Sequence, residues 1–255
     1  LQEWQKNMQD SIAYALQIQT AMLQFDTKNL QYFHSYFILW LPRDVVSGDF
    51  YYIRQIEHQI FVAAVDCTGH GVPGAFMSVL GINLLDEIII NQQHYEPQNI
   101  LLHLHTRIQR ALRQQQTNNR DGMDLALIRL DTHTHEITYA GAKNPLLIIH
   151  NQEAIYLKPD RFSIGGDSIK QNLVFQQQTL SLQKGMRLFL FSDGLADQFG
   201  GEENKKFTFA NLKQLLLTTS NYPLEEQKQK ILHSFTSWKA DYPQTDDVLL
   251  IGLEV

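Results

Sequence analysis

Four short segments place aspartate beside glycine or next to an apolar run, and these positions are the best suited to chemistry. They contain Asp49 in SGDF, Asp66 in DCTGHG, Asp193 in SDG, and the pair Asp246 and Asp247 in TDD. Carboxylate oxygens are hard ligands that suit Mg²⁺ or Mn²⁺. Four such carboxylates could hold two ions and the water between them. Without cations, their mutual repulsion would be costly.

Each aspartate taken alone has an ordinary explanation, because aspartate beside glycine is a common turn former. The four segments together, with their flanking sequence, favour one shared site over four unrelated turns. Asp246 and Asp247 are adjacent, so the pattern leaves open which of the two faces that site.

The loops that carry these aspartates lie between segments whose patterns predict strands and helices. Predicted strands cover residues 32–41, 49–56, 60–65, 124–130, 136–139, 146–150, 186–191 and 248–253, and predicted helices cover residues 73–90, 97–115, 209–218 and 224–238. The order is strands, two helices, strands, two helices, strand. This order predicts an α+β domain with helices packed on the faces of antiparallel sheets.

Residues 1–24 predict a helix that precedes a main domain of residues 25–255. Its a and d heptad positions are apolar except for Ser11; they hold Leu1, Trp4, Met8, Ala15, Ile18 and Met22. Three heptads are few for a coiled coil, so two interpretations of this helix are equally favoured. The helix either packs on its own domain, or it is a linker that dimerises and relays a signal. A chain that opens in a helix without Met is compatible with a piece of a longer protein.

Composition narrows the class of protein. The chain has 255 residues, of which 44% are hydrophobic, so it can bury a core and is not globally disordered. A net charge of -6 argues against nucleic acid as the main partner. The single cysteine, Cys67, excludes an intrachain disulfide and favours a reducing, cytoplasmic compartment. We found no apolar run near the roughly 18 residues of a membrane helix and no signal peptide, so we expect no membrane partner for this segment.

Five ordered segments resemble the motifs of the SpoIIE/RsbU branch of metal-dependent (PPM-type) serine/threonine protein phosphatases. They are LPRDVVSGDF (41–50), DCTGHGVPGAFM (66–77), YAGAKNPL (139–146), LFSDGL (190–195) and TDDV (245–248). The resemblance extends from about residue 17 to residue 255. It implies a two-sheet antiparallel β-sandwich flanked by helices, in α-β-β-α layers, with an N-terminal linker helix.

The same resemblance implies a dinuclear Mn²⁺ or Mg²⁺ site and hydrolysis of phosphoserine or phosphothreonine on a protein. The implied ligands are Asp49, Asp66, the backbone carbonyl of Cys67, Asp193, and Asp246 or, less well matched, Asp247. Asp66 would bridge both ions. A hydroxide shared by two cations is a strong nucleophile at neutral pH. His70 could donate a proton to the leaving oxygen, although a hydrogen bond that fixes the loop at residues 69–71 is the favoured role.

The resemblance also implies partners. The usual substrate class of this branch is a small phosphorylated regulator of the anti-sigma-factor-antagonist type. An upstream sensor domain and a homodimer through the N-terminal helix would control the activity. Two positions depart from the common motifs: Lys143 stands where Asn is expected, and Arg43 stands where Lys is common. Either cation could contact phosphate, but surface or ion-pair roles are favoured.

Other chemistries fit less well. A cysteine-dependent phosphatase needs Arg six positions after its Cys, and position 73 is Pro. The glycines at 69 and 74 have P-loop spacing, but Ala75 and Phe76 follow instead of Lys and Ser or Thr. The pair His133 and His135 is better explained by a hairpin turn than by a metal. The main alternative is a catalytically silent PPM-fold signalling or scaffold domain, and a dimerisation module built on the helix is the third.

Overall fold

The computed structural model describes residues 2–166 and 173–255, in which groups of strands are separated by pairs of helices. The helices are α1 (Gln2–Leu23), α2 (Gly71–Asp86), α3 (Pro97–Ala111), α4 (Gly194–Asp197), α5 (Phe209–Thr218) and α6 (Leu224–Lys239). A 3-10 turn (Thr27–Leu30) follows α1, and a π-helical turn (Glu87–Asn91) extends α2.

The strands are β1 (Ser35–Leu41), β2 (Phe50–Ile56), β3 (Gln59–Cys67), β4 (Gly122–Asp131), β5 (Glu136–Ala142), β6 (Leu146–His150), β7 (Glu153–Leu157), β8 (Ile164–Gly165), β9 (Gln178–Ser181), β10 (Arg187–Phe191), β11 (Phe199–Gly200), β12 (Lys205–Lys206) and β13 (Val248–Glu254). One sheet has the order β1-β13-β10-β6-β7, and the other has the order β2-β3-β4-β5-β9 with β8 paired to β4. The named pairs within both sheets are antiparallel.

The two sheets pack face to face across an apolar core. Val62 and Ile128 of one sheet share this core with Leu249 and Ile251 of the other. Helices α2 and α3 cover the outer face of the β2-β3-β4-β5 sheet, and α5 and α6 cover the outer face of the β1-β13-β10 sheet. The predicted α-β-β-α sandwich is therefore confirmed.

Several boundaries differ from the sequence prediction for identifiable reasons. The predicted helix at 97–115 ends at Ala111, because the chain turns at Arg113, whose φ is 51°. Strands β7 and β9 were not predicted. Both lie at sheet edges, and most of their side chains keep contact with solvent, so they lack the apolar alternation that marks a half-buried strand.

Helix α1 packs on the domain only through its C-terminal half. Gln19 and Leu23 are buried, whereas Trp4, Met8 and Ile18 are exposed. The apolar a and d positions in the N-terminal half of α1 therefore make little contact with the rest of the domain. The division into a linker at 1–24 and a domain at 25–255 stays a prediction.

The prediction that the chain has no apolar run long enough for a membrane helix is wrong, because Gly71–Asn91 is long and apolar enough to cross a membrane by length and composition alone. In the fold it is α2 with its π-helical turn. Met77, Ile82, Leu85 and Ile88 of this segment are buried in the core beneath the β2-β3-β4-β5 sheet. Packing inside the protein accounts for its apolar composition, as in many core helices.

Candidate metal centre

The aspartates singled out from the sequence come together at one edge of the sandwich, where loops from both sheets meet. Asp49 precedes β2 and Asp66 lies near the end of β3, in one sheet; Asp193 follows β10 and Asp246 precedes β13, in the other. The charge of Asp246 contributes to raising the pKa of each of the other three. The four carboxyl groups therefore form one electrostatic cluster.

Asp49 lies deepest in this cluster and is 2% exposed. Burial raises its pKa well above the ordinary value, while a hydrogen bond from Ser192 opposes the rise. Its Oδ2 is buried and accepts no hydrogen bond from the residues that the structure describes. A buried carboxylate oxygen without a donor is costly, so this atom calls for a cation or a proton.

Asp66 and Asp193 are in direct contact. Burial first, and the charges of Asp49 and Asp193 next, raise the pKa of Asp66 well above its ordinary value. Loss of hydration and the charges of Asp197 and Asp246 raise the pKa of Asp193, whereas a side-chain hydrogen bond with Asp66 lowers it. Two carboxyl groups share a hydrogen bond only when one is protonated. A divalent cation could take the place of that proton.

The adjacent aspartates 246 and 247 have different surroundings. Asp247 is 2% exposed, and both of its carboxylate oxygens accept backbone N–H groups: Oδ1 from Arg43 at 2.7 Å and Oδ2 from Gly48 at 2.7 Å. Asp246 is exposed, and its Oδ1 accepts the backbone N–H of Asp247 at 2.8 Å. This arrangement favours Asp246 as a ligand and Asp247 as the residue that ties two loops together.

Glycines let the loops of this edge approach each other backbone to backbone. A Cβ on Gly48 or on Gly74 would lie 2.4 Å from the carbonyl oxygen of Gly69, which is too close for any side chain. A Cβ on Gly194 would lie 1.9 Å from the carbonyl oxygen of Asp247. The glycines of the motifs are therefore needed to bring the aspartates of different loops within reach of one site.

Asp124 belongs to the same cluster, and the sequence analysis missed it. It is the cross-strand partner of Asp66 in the β3-β4 pair, and its charge helps to raise the pKa of both Asp66 and Asp193. Its Oδ1 is buried and accepts no hydrogen bond from the described residues, as with Asp49. Its Oδ2 lies 3.3 Å from Nζ of Lys143. Lys143, which departs from the common motif, is thus an ion-pair partner at the rim of the cluster.

The side chains of His70 and Cys67 are not part of the acidic cluster. Nδ1 of His70 lies 2.7 Å from Oδ2 of Asp44, and both side chains are about half exposed. This bond joins the start of α2 to the loop before Asp49. The thiol of Cys67 is buried, and burial raises its pKa, which makes it a poor nucleophile.

Two other candidates from the sequence, Arg43 and His133, have partners within the protein. The guanidinium of Arg43 donates to the carbonyl of Thr245 at 3.0 Å. His133 forms a group with His58 and Asp131 in the hairpin turns at the opposite ends of β3 and β4. The rings of His58 and His133 are stacked at 4.5 Å and 6°, and the ligand atoms of the three residues lie within 4.8 Å of one another, so this turn is a second, separate place where a cation could bind.

The edge cluster fits hard divalent cations. Its donors are carboxylate oxygens, two of which are buried without a hydrogen-bond donor, and the carboxyl groups of Asp66 and Asp193 are in contact. Within the described residues, Lys143 is the one cationic side chain that forms an ion pair with a member of the cluster. Oxygen ligands of this kind are those that Mg²⁺ and Mn²⁺ prefer.

The sequence and the fold were compared with known proteins. The family model of stage II sporulation protein E (SpoIIE) matches residues 56–255. The chain belongs to the SpoIIE family. The predicted place in the SpoIIE/RsbU-like branch of PPM-type serine/threonine protein phosphatases is therefore confirmed.

Solved and curated relatives agree with this family. The PP2C domain of SiaA from Pseudomonas aeruginosa is 31% identical, covers 100% of both chains and has a TM-score of 0.88. Phosphoserine phosphatase RsbP of Bacillus subtilis (strain 168) is 25% identical over 213 residues, which are 82% of this chain and 49% of RsbP. This SpoIIE-family chain thus spans about half the length of the curated relative it matches.

A third relative supports the fold alone. The phosphatase domain of SpoIIE from Bacillus subtilis, solved with a fragment of its regulatory domain, is 16% identical, covers 87% of this chain and 63% of that chain, and has a TM-score of 0.67. The SpoIIE-family model begins after Asp49, whereas the SiaA similarity includes that residue.

Proposed function

We propose that this chain is a metal-dependent protein serine/threonine phosphatase that acts in bacterial signalling at a dinuclear Mn²⁺ or Mg²⁺ site. The observation that carries the proposal is the convergence of Asp49, Asp66, Asp193 and Asp246 from both sheets, with the buried Oδ2 of Asp49 lacking a donor. Membership of the SpoIIE family supplies the reaction class.

The proposed ligand roles are those that the resemblance to PPM-type phosphatases implies. The charges of Asp49, Asp124 and Asp193 all act on Asp66, so its carboxylate would help to hold both ions. Asp193 and Asp246 would hold one ion, Asp49 the other, and the carbonyl of Cys67 would add a neutral oxygen. When bound, the cations would activate a water as nucleophile and neutralise the phosphoryl oxygens of the substrate.

Residues around the ligands do the positioning. Ser192 holds Asp49 by a hydrogen bond and accepts the backbone N–H of Leu249 at 3.0 Å, which joins the two sheets at this point. His70 anchors the loop through Asp44. Lys143 supplies a cation near the acidic edge, where it can meet the phosphate of an incoming protein.

The first experiment is hydrolysis of para-nitrophenyl phosphate by the purified chain with Mn²⁺, with EDTA, and with Asp66→Asn as the matched control. Turnover that needs both Mn²⁺ and Asp66 supports the proposal. Asp66→Asn should stay folded, because it removes charge from a crowded cluster and keeps the side-chain volume. If neither Mn²⁺ nor Mg²⁺ gives turnover and calorimetry detects no ion, a catalytically silent scaffold becomes the better explanation.

The substrate and partners are also proposals. We expect a small phosphorylated regulator of the anti-sigma-factor-antagonist type as the substrate, an upstream sensor, and a cytoplasmic location in keeping with the free thiol of Cys67. Turnover of a phosphoserine protein of this type, compared with its phosphotyrosine counterpart, tests the substrate class.

The exposed seam of α1 is proposed as a homodimer contact. Trp4 is 63% exposed and Met8 is 47% exposed, and the described residues around them, 3–11, are all exposed. Trp4→Glu and Met8→Glu should lower the dimer fraction measured by light scattering. Gln5→Glu and Gln9→Glu add the same charge off the seam and should not. Equal behaviour of both pairs would contradict the dimer proposal.

A further inference from the structure

Gln19 is a buried polar residue on a helix whose neighbouring polar residues face solvent. It is 1% exposed, in the C-terminal half of α1. Its Oε1 accepts the backbone N–H of Ser47 at 3.0 Å, and its Nε2 donates to the backbone carbonyl of Ser47 at 2.6 Å. Nε2 also donates to Oγ of Ser78 on α2 at 2.8 Å. One amide side chain therefore joins three segments of the chain.

The residue that Gln19 holds is two positions from Asp49. Both backbone polar groups of Ser47 bond to Gln19, and the next N–H, that of Gly48, bonds to Asp247. The backbone that leads into Asp49 is thus fixed from two sides. One side is the start of β13, and the other is the N-terminal helix.

An apolar side chain at position 19 could still dock α1, but it would leave the buried N–H of Ser47 without a partner and its carbonyl with only the long, 3.5 Å bond from Oγ of Ser78. Hydrogen bonds also require one register, because rotation of α1 or a shift by one residue separates the amide from Ser47. An apolar contact tolerates such shifts. The arrangement therefore couples the register of α1 to the backbone before Asp49.

We propose that Gln19 is a positioning residue for Asp49, through which the docked register of α1 sets the affinity of the site for its divalent cations. This inference rests on the proposed function, because Asp49 matters here as a cation ligand. A shift of α1 would break the hydrogen bonds between Gln19 and Ser47. The backbone before Asp49 would then no longer be fixed on that side, and the carboxylate of Asp49 would lose its position.

The test compares Gln19→Met with Leu23→Ala. Gln19→Met keeps the length of the side chain and removes both hydrogen-bonding atoms. Leu23 is a buried core residue of the same helix, so Leu23→Ala loosens the docking of α1 without touching a known partner of Ser47. Each variant of the whole chain is measured by Mn²⁺ calorimetry, by thermal unfolding and by amide hydrogen exchange resolved to single residues.

We expect Gln19→Met to weaken Mn²⁺ binding by about tenfold, the scale of one or two lost hydrogen bonds, and to speed exchange at the Ser47 amide. Leu23→Ala should lower the unfolding temperature at least as much, with its Mn²⁺ affinity within about twofold of the unaltered chain. The amide of Gly48, held by Asp247, serves as the internal reference for exchange.

Two results would overturn the inference. One is unchanged Mn²⁺ affinity in Gln19→Met alongside a lower unfolding temperature, which means a structural role only. The other is equal loss of affinity in Leu23→Ala, which means that any loosening of α1 suffices.

If Gln19→Met does not fold, Gln19→Asn carries the test, because its amide is one methylene too short to keep both bonds. If the unaltered chain binds no Mn²⁺, the proposed function itself fails.

Discussion

The Oδ2 of Asp247 accepts a hydrogen bond of 2.7 Å from the backbone N–H of Gly48, across 199 positions of sequence. Its other oxygen accepts the N–H of Arg43, also at 2.7 Å. The carboxylate of Asp247 is therefore occupied in joining the loop before β2 to the start of β13. The adjacent Asp246 faces solvent and the acidic cluster.

Asp247→Asn should consequently lower the stability of the fold, whereas Asp246→Asn should lower the affinity for Mn²⁺. Asp247→Asn turns one acceptor into a donor that faces a backbone N–H, so we expect a loss of about 1–3 kcal/mol in the free energy of unfolding. Asp246→Asn should change stability by less than about 0.5 kcal/mol, as at most surface positions, and should weaken Mn²⁺ binding strongly. Urea unfolding and Mn²⁺ calorimetry measure the two quantities. The reverse pattern would make Asp247 the ligand.

His70→Ala should reduce turnover only mildly, because His70 acts as a loop anchor through Asp44. Asp44→Ala should give the same reduction, and the double variant should lose no more than either single one. The comparison needs two substrates, since para-nitrophenol is a good leaving group and an alkoxide is not. A loss of about 10²–10⁴-fold with a phosphoserine peptide, absent with para-nitrophenyl phosphate and absent in Asp44→Ala, would instead identify His70 as the general acid.

Cys67→Ser should retain metal-dependent turnover. The thiol is buried, burial raises its pKa, and only its backbone carbonyl is assigned a role. Cys67→Ala is the matched control for the cost of a buried hydroxyl in the serine variant. Turnover is measured with and without iodoacetamide, and inactivity of both variants while they remain folded would restore the thiol as a nucleophile.

The stability of the metal-free protein should fall as pH rises toward neutrality. Burial, followed by neighbouring charges, raises the pKa values of Asp49 and Asp66 above the ordinary 3.8. The folded chain then holds more protons than the unfolded chain between 3.8 and the raised values. Stability is therefore fully present below that window and is lost as pH rises through it.

Thermal unfolding from about pH 5 to pH 8 in EDTA, for the unaltered chain and for Asp49→Asn, checks this expectation. The unaltered chain should show the steeper decline, and Mn²⁺ at neutral pH should reverse that decline in the unaltered chain more than in the variant. Parallel curves for the two proteins, with and without Mn²⁺, would show that ionisation of Asp49 does not lower the stability of the fold.

The sequence was informative where the local pattern and the tertiary role coincide. The strand β13 and the motif loops carry apolar runs and glycines that the fold uses directly. Asp124 has no such local mark, since its role follows from its register opposite Asp66 in the β3-β4 pair. Gln19 lies outside the apolar seam of α1, and nothing in the sequence pattern marks it as buried. Its burial depends on where Ser47 lies in space.

Strand order could not be predicted for the same reason. β13 lies between β1 and β10, so the last segment of the chain completes a sheet begun by the first strand. Alternation identifies a strand and its buried face, but it does not identify the neighbour with which the strand pairs.

The dispersal of the aspartates between the two sheets has a consequence for assembly. The site draws on residues from Asp49 to Asp246, and the last of these enters only when β13 pairs with β1 and β10. A chain that lacks this strand would present only part of the proposed ligand set, so tight binding of divalent cations would require that β13 has already paired with its two neighbours.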